Sequence, residues 1–237
     1  MIIKCNNPKV SCLMVTRHRA EYVRRSIECF RCQTYENREL IVVNDSDDGT
    51  EEIVQGYGDE RIVYIRCPQK HMPLGSLRNF SIDVAKGHYI MQWDDDDVYH
   101  CNRILLQLEC LMESGCDACF LERLILAWPS RNLLRVSRRR LWEGSMLAMK
   151  DSIPKYFALE RREDSHLVKR WAREGGRYCV LDNPDLYVYV IHGRNTCDAE
   201  HFERSVFVKS EPIAEEVRRW RLLRLVPGFS LIDHCGL

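Results

Sequence analysis

His88-Tyr89-Ile90-Met91-Gln92-Trp93-Asp94-Asp95-Asp96-Asp97 joins a short apolar run to four consecutive carboxylates. The run reads as a buried β-strand, and the aspartates as the turn at its carboxyl end. Two like unit charges about 4 Å apart repel by about 4 kcal/mol at an effective dielectric near 20. The four side chains are therefore either solvated, as an acidic turn, or held with something positive among them. Oxygen donors of this kind suit Mg2+ or Mn2+, which bind through one or two carboxylates together with substrate phosphates.

Upstream, Val10-Ser11-Cys12-Leu13-Met14-Val15 and Glu39-Leu40-Ile41-Val42-Val43 read as buried strands, and Arg61-Ile62-Val63-Tyr64-Ile65 as a third. Helical spacing covers 20–32, 50–57 and 75–86. Strands alternating with helices predict an α/β fold, a doubly wound and mostly parallel sheet flanked by helices. Ligands of such sheets bind outside the carboxyl ends of the strands, where the aspartate run lies. Downstream the pattern is less regular: a helix over 103–114, strand-like segments at 117–127, 133–137 and 145–149, a helix over 164–174 and a strand at 186–191. With no linker or repeat, 1–237 reads as a single domain: a nucleotide-binding half at 1–100, a second half at 101–210 and a tail at 211–237.

Hydrophobic residues make up 45% of the 237, enough for a sizeable core. Lys+Arg and Asp+Glu are both 35, so net charge makes no case for a nucleic-acid partner. No apolar run approaches the roughly 20 residues of a membrane span. Met1-Ile2-Ile3-Lys4-Cys5-Asn6 lacks the apolar stretch and cleavage pattern of a signal peptide. The expectation is a cytoplasmic chain whose twelve cysteines are mostly reduced. Cys29/Cys32 and Cys116/Cys119 are Cys-x-x-Cys pairs that together would make a four-thiolate zinc site. Their placement in apolar helix and strand patterns favours buried thiols instead.

The second strand runs into Asn44-Asp45-Ser46-Asp47-Asp48-Gly49-Thr50. A carboxylate there can accept from a nucleotide, as acidic residues at the second strand end of dinucleotide folds do. Ser46, Asp47 and Asp48 supply turn and helix-capping chemistry.

Several stretches, in order, resemble the family 2 glycosyltransferases and their nucleotide-sugar-binding GT-A fold. Val10 to Arg19 is similar to the opening V-S-V-I-I-P-T-Y-N-R, keeping Thr16 and Arg19. Val42 to Thr50 resembles V-D-D-G-S-T-D-G-T, one residue shorter and with Asn44 for the first Asp. Leu77 to Ile90 resembles A-R-N-x-G-I-x-x-A-x-G-E-Y-I and runs into the aspartates, which resemble L-D-x-D-D. The likeness covers roughly 9 to 200.

The resemblance implies an inverting, metal-dependent transfer from a nucleoside-diphosphate sugar to a glycan, lipid-linked or protein acceptor, in glycan or polysaccharide synthesis, with Mn2+ or Mg2+ as cofactor. It implies that Thr16 and Asp45 line the nucleoside pocket and that Arg19 and Arg78 serve the donor, Arg78 approaching the diphosphate or sugar. Asp94 and Asp96 become the D-x-D pair, Asp96 the best candidate for direct metal contact. Asp95 is a donor contact open to replacement, and Asp97 orients the loop or caps the next helix. Arg162-Glu163-Asp164 resembles the E-D motif that opens a helix, making Asp164 the base and Glu163 the fallback. Val190-Ile191-His192-Gly193-Arg194-Asn195-Thr196 resembles H-G-x-N-T, with His192 on the metal or the diphosphate. Trp142 is expected either to stack on a sugar or to pack in the core.

Arg138-Arg139-Arg140 reads as a solvated turn or an attractor of an anionic acceptor. Residues 215–226 form a basic amphipathic pattern that packs on the domain or lies on an anionic membrane surface. Two other readings stay open: a nucleotide-sugar-binding scaffold without turnover, and a nucleotidyltransferase. The second expects a glycine-rich loop where Thr16-Arg17-His18-Arg19 has none.

Overall fold

Along Val10–Thr16 (β1) every side chain is buried, and successive residues enter different cores, as the two-residue period of a strand requires. Val10, Cys12 and Met14 share one core with Val23, Ile27 and Phe30 of Ala20–Arg31 (α1). Leu13 and Val15 share the other with Leu77 and Ile82 of Leu74–Val84 (α3). A computed structural model describes residues 7–213 of the 237.

The same alternation recurs in Arg38–Asn44 (β2) and Tyr89–Gln92 (β4). Between them lie Thr50–Gln55 (α2) and Ile62–Arg66 (β3). Beyond β4 come Val98–Tyr99 (β5), Arg103–Ser114 (α4), Ala118–Leu121 (β6), Ile125–Trp128 (β7), Leu133–Val136 (β8) and Trp142–Met149 (β9). Glu163–Arg173 (α5), Tyr178–Leu181 (β10), Tyr187–Val190 (β11), Ala199–His201 (α6) and Glu211–Pro212 (β12) follow.

The main sheet has the order β10-β6-β9-β4-β1-β2-β3. It is parallel except for β9, which runs antiparallel between β4 and β6. The predicted doubly wound α/β sheet is thus present, with α1 and α4 on one face and α3 and α5 on the other. The halves divided at residue 100 interleave, because β6, β9 and β10 extend the first half's sheet. A second sheet, β12-β8-β7-β11-β5, is antiparallel apart from the β7–β11 pair.

Two segments are arranged otherwise than the sequence suggests. The apolar segment 117–127 is two strands in different sheets, because the chain crosses from one to the other between Leu121 and Ile125. Strand β10 was not expected at all: it is short, it lies at the sheet edge, and Tyr178 and Val180 are exposed. Of the Cys-x-x-Cys pairs, for which buried thiols rather than a zinc site are expected, Cys119 lies with Cys110 and Cys179.

Residues 211–212 of the expected tail belong to the second sheet. The amphipathic pattern at 215–226 lies outside the described residues. No helix among the described residues is long and apolar enough to cross a membrane.

Gly75 sets how α3 meets the second half. A Cβ there would stand 1.8 Å from the Phe157 carbonyl oxygen, so only glycine lets the first turn of α3 approach that segment. Three residues on, α3 carries Arg78.

Candidate active site

β1, β2 and β4 run parallel, so Thr16, Asp45 and the aspartate run emerge at the same sheet edge. The register pairs Thr16 with Asn44, which puts the next residues, Arg17 and Asp45, side by side. The Arg17 Nε donates to Asp45 Oδ2 at 2.9 Å, and the N–H groups of His71 and Met72 donate to the same carboxylate at 3.1 and 3.2 Å. Asp45 thereby organises the loop before α3.

Asn44, where the family pattern has Asp, accepts from Ser46 Oγ at 2.6 Å and donates to Asp48 Oδ1 at 3.2 Å. An aspartate here would set two carboxylates facing. Asp48 also accepts from the Arg19 N–H at 2.9 Å and the Thr50 hydroxyl at 2.7 Å. Gly49, with φ of 81°, makes the turn into α2.

The positive charge demanded by the aspartate run comes from arginines. Arg19 Nη1 donates to Asp95 Oδ1 at 3.3 Å and to Asp96 Oδ2 at 2.8 Å. Arg78 Nη2 donates to Asp94 Oδ1 at 3.1 Å, and Arg25 donates to the Asp96 carbonyl. Behind them Arg103 is fully buried, its guanidinium 4.4 Å from the Tyr99 ring centre and 4.7 Å from that of Tyr187.

The four carboxyls differ in environment. Burial pushes Asp95 up to about 7, aided by neighbouring Asp96 and opposed by Arg19. Burial would also raise Asp96, but the His192 hydrogen bond and the charges of Arg19 and Arg25 hold it below the usual carboxylate range. Asp97 is driven well up by burial and by Asp96 and Asp94. It accepts from the Tyr187 hydroxyl at 2.6 Å and the Val190 N–H at 2.8 Å, tying the loop to β11.

That tie places the segment after β11. His192 Nδ1 accepts from the Arg194 N–H at 3.3 Å, and Nε2 stands 3.0 Å from Asp96 Oδ2 and 3.2 Å from Asn195 Nδ2. Its ring lies 4.3 Å from that of Tyr22. Arg194 reaches back to the His18 carbonyl at 2.7 Å and to Glu21, closing this segment over the start of α1.

Thr16, Arg17, Arg19, Leu77, Asp95 and Glu160 are among the residues lining a cleft of about 200 Å³. Thr16 Oγ1 and Asp95 Oδ2 are buried at the cleft with no partner other than each other. A polar ligand in the cleft would complete their hydrogen bonding. Asp95, which the resemblance makes a donor contact open to replacement, is 2% exposed and lines the cleft. Asp96 offers the carboxylate oxygens that suit Mn2+ or Mg2+, with the His192 imidazole 3.0 Å from it, whereas Asp94 is turned to Arg78 and does not gather with them.

Arg78 joins this loop to α5. It is 8% exposed, and its Nε donates to Glu163 Oε1 at 2.9 Å. Its charge is thus spent on Asp94 and Glu163, a more internal position than the sequence suggested. Removing it as Arg78→Met leaves two carboxylates without their cation, Glu163 deeply buried, and is expected to destabilise the fold by about 3 kcal/mol. A urea midpoint unchanged from the parent chain would refute the bridging role.

α5 begins directly after Arg162, whose φ of 60° is left-handed, a costly conformation that aims Glu163 and Asp164 inward. Burial raises Asp164 to about 6, Glu163 adds to this, and Arg78 opposes it. Its Oδ1 accepts from the Ser165 N–H at 2.6 Å. Trp142 is a core residue, donating to Ser137 Oγ at 3.0 Å with Arg140 over its ring. Arg139 and Arg140 pair with Asp182 and Glu143 at 2.8 and 2.7 Å.

Arg17, Glu160 and Thr196 also line the cleft, and the sequence reading missed them. Arg17 had a usable signal in its position one past β1 opposite Asp45, and Thr196 in closing the segment that resembles H-G-x-N-T.

Residues 11–168 match the model for glycosyl transferase family 2. The chain is similar to an uncharacterized glycosyltransferase of Rickettsia prowazekii, 40% identical over 106 residues, which are 44% of this chain and 32% of that protein. It is 36% identical over 106 residues to the putative colanic acid biosynthesis glycosyl transferase WcaA of Escherichia coli, covering 42% of this chain and 36% of WcaA. The chain thus spans about a third of the length of these relatives. Among solved structures it resembles S. aureus TarS 1-349 in complex with UDP-GlcNAc, with TM-score 0.66 and 15% identity over 79% of this chain and 60% of that one. It also resembles the mannosyltransferase PcManGT from Pyrobaculum calidifontis in complex with GDP-Man and Mn2+, with TM-score 0.60 and 17% identity over 80% and 59% of the two chains. At these identities the likeness is one of fold.

Proposed function

The chain belongs to glycosyl transferase family 2, and on that premise we propose that it transfers a sugar, with inversion, from a nucleoside-diphosphate sugar to an acceptor hydroxyl in glycan or polysaccharide synthesis. The observation that carries this reading is the Arg78 bridge, which links the donor-side Asp94 to Glu163, the neighbour of a carboxyl raised toward neutrality. A base with a raised pKa on one side and a charged, partly unsatisfied cleft on the other is what a single displacement needs.

In this proposal Thr16 and Asp95 meet the donor's polar groups, while Asp45 holds the loop that walls the nucleoside. Asp164 takes the acceptor hydroxyl proton, the oxygen bonds to the anomeric carbon from the face opposite the nucleotide, and the nucleoside diphosphate leaves with the electrons of the broken C–O bond. Mn2+ or Mg2+ held by Asp96 and His192 would supply charge stabilisation for that leaving group. Arg19 now supplies the countercharge at Asp95 and Asp96, and stands ready to contact the diphosphate. A cytoplasmic location belongs to the same proposal, as does any membrane contact through 215–226.

Thermal unfolding in the presence of UDP-GlcNAc, GDP-mannose and other nucleotide sugars, with and without Mn2+, tests the reading. One donor is expected to raise the midpoint only with the metal, by about 3 kcal/mol of linkage at a hundredfold excess over its dissociation constant. No stabilisation by any donor under either condition would sink the proposal.

A further inference from the structure

Cys110, Cys119 and Cys179 are distant in sequence, yet their three Sγ atoms all lie within 4.8 Å of one another. Parallel pairing of β6 with β10 sets Cys119 directly beside Cys179. Both face α4, because Cys119 and Cys179 belong to the core that holds Leu108 and Leu111 of that helix. Tyr178 turns to the opposite face, where it meets Phe120 edge-on at 5.8 Å. Cys110, on α4, completes the triangle, with its Sγ 3.7 Å from that of Cys179.

We propose that these three cysteines form a thiolate site for a soft metal ion of the Zn2+ type, separate from the carboxylate site at the other strand ends. The spacing fits. With Zn–S bonds of about 2.3 Å in tetrahedral array, neighbouring sulfurs stand about 3.8 Å apart. Soft thiolates select Zn2+ over the hard cations suited to carboxylates, so the two sites sort ions by chemistry. Binding releases the three thiol protons to solvent and leaves a fourth coordination position to water or an external thiol. Cys119 is buried while the other two are partly accessible, which gives the ion a way in. The bound ion would staple edge strand β10 to α4, a connection otherwise made by side-chain packing and a weak bond from the Cys179 thiol to the Cys110 carbonyl.

The test uses the full chain, reduced and stripped of metal. Co2+ alone should produce a sulfur-to-cobalt charge-transfer absorption that saturates at one ion per chain and is lost on adding Zn2+. At free Zn2+ about a hundredfold above its dissociation constant, alkylation of Cys110, Cys119 and Cys179 should slow by about a hundredfold while that of Cys67 and Cys101 does not. Peptide mass spectrometry reads that difference on the unmutated chain. Cys110→Ser with Cys179→Ser should abolish the absorption. Zn2+ captured by the aspartates produces neither signal. Absence of the charge-transfer band, equal alkylation with and without Zn2+, or conversion of Cys110 and Cys179 to a disulfide that metal does not prevent would each overturn the proposal.

Discussion

Asp164→Asn is expected to lower the rate of sugar transfer by about 10²–10⁴-fold, the usual contribution of a positioned general base. The same substitution should make the protein more stable at neutral pH. Burial and neighbouring Glu163 raise the Asp164 carboxyl from 3.8 to about 6 in the folded chain. The folded state therefore binds this proton more tightly than the unfolded state does. The stability that this group contributes is full below about pH 4 and is lost as pH rises to about 6. An amide cannot ionise, so the variant should gain about 1–3 kcal/mol over the parent above pH 6 and nothing below pH 4. In the parent chain kcat/KM should climb as pH rises through about 6 and level off beyond it. Chemical denaturation at pH 4 and pH 7.5, beside a pH–rate profile, checks all three. Undiminished transfer by the variant would pass the base role to Glu163, whose carboxylate is already engaged by Arg78.

Asp96→Asn is expected to abolish metal-dependent donor binding and to reduce transfer by at least about a hundredfold. Asp96 Oδ2 is the atom on which Arg19 and His192 converge, at 2.8 and 3.0 Å. The amide removes the charge that pairs with both and that a divalent cation would need. The fold should survive, because Arg19 keeps Asp95 as a partner and Asp97 still ties the loop to Tyr187 and Val190. Calorimetric titration with a nucleotide sugar, with and without Mn2+, separates the outcomes. Mn2+-dependent binding equal to the parent's would move the metal away from Asp96. Loss of binding in a variant whose circular dichroism and melting match the parent would keep it there.

The parallel half of the sheet was legible because strands buried on both faces are written as unbroken apolar runs between turn residues, as in β1 and β2. The aspartate run was legible for a related reason, since its charges follow directly on such a run. Strand β10, Tyr178-Cys179-Val180-Leu181, is apolar throughout but escaped notice, because four residues are the shortest run from which a strand period can be read. The break between β6 and β7 escaped because period and hydrophobicity say that Phe120 and Ile125 are buried, not which sheet buries them.

By itself the sequence determined the α/β class, the strand ends where charge collects and the residue types able to serve a donor and an acceptor, because periodicity and motif spacing are local properties of the chain. Only the tertiary structure decided the partners. It placed Arg19 on Asp95 and Asp96, spent Arg78 between Asp94 and Glu163, buried Asp95 in the cleft, and drew three cysteines together. Those pairings depend on register and on the packing of helices across the sheet. Charge, burial and pKa follow from such contacts, which no local stretch of the chain contains.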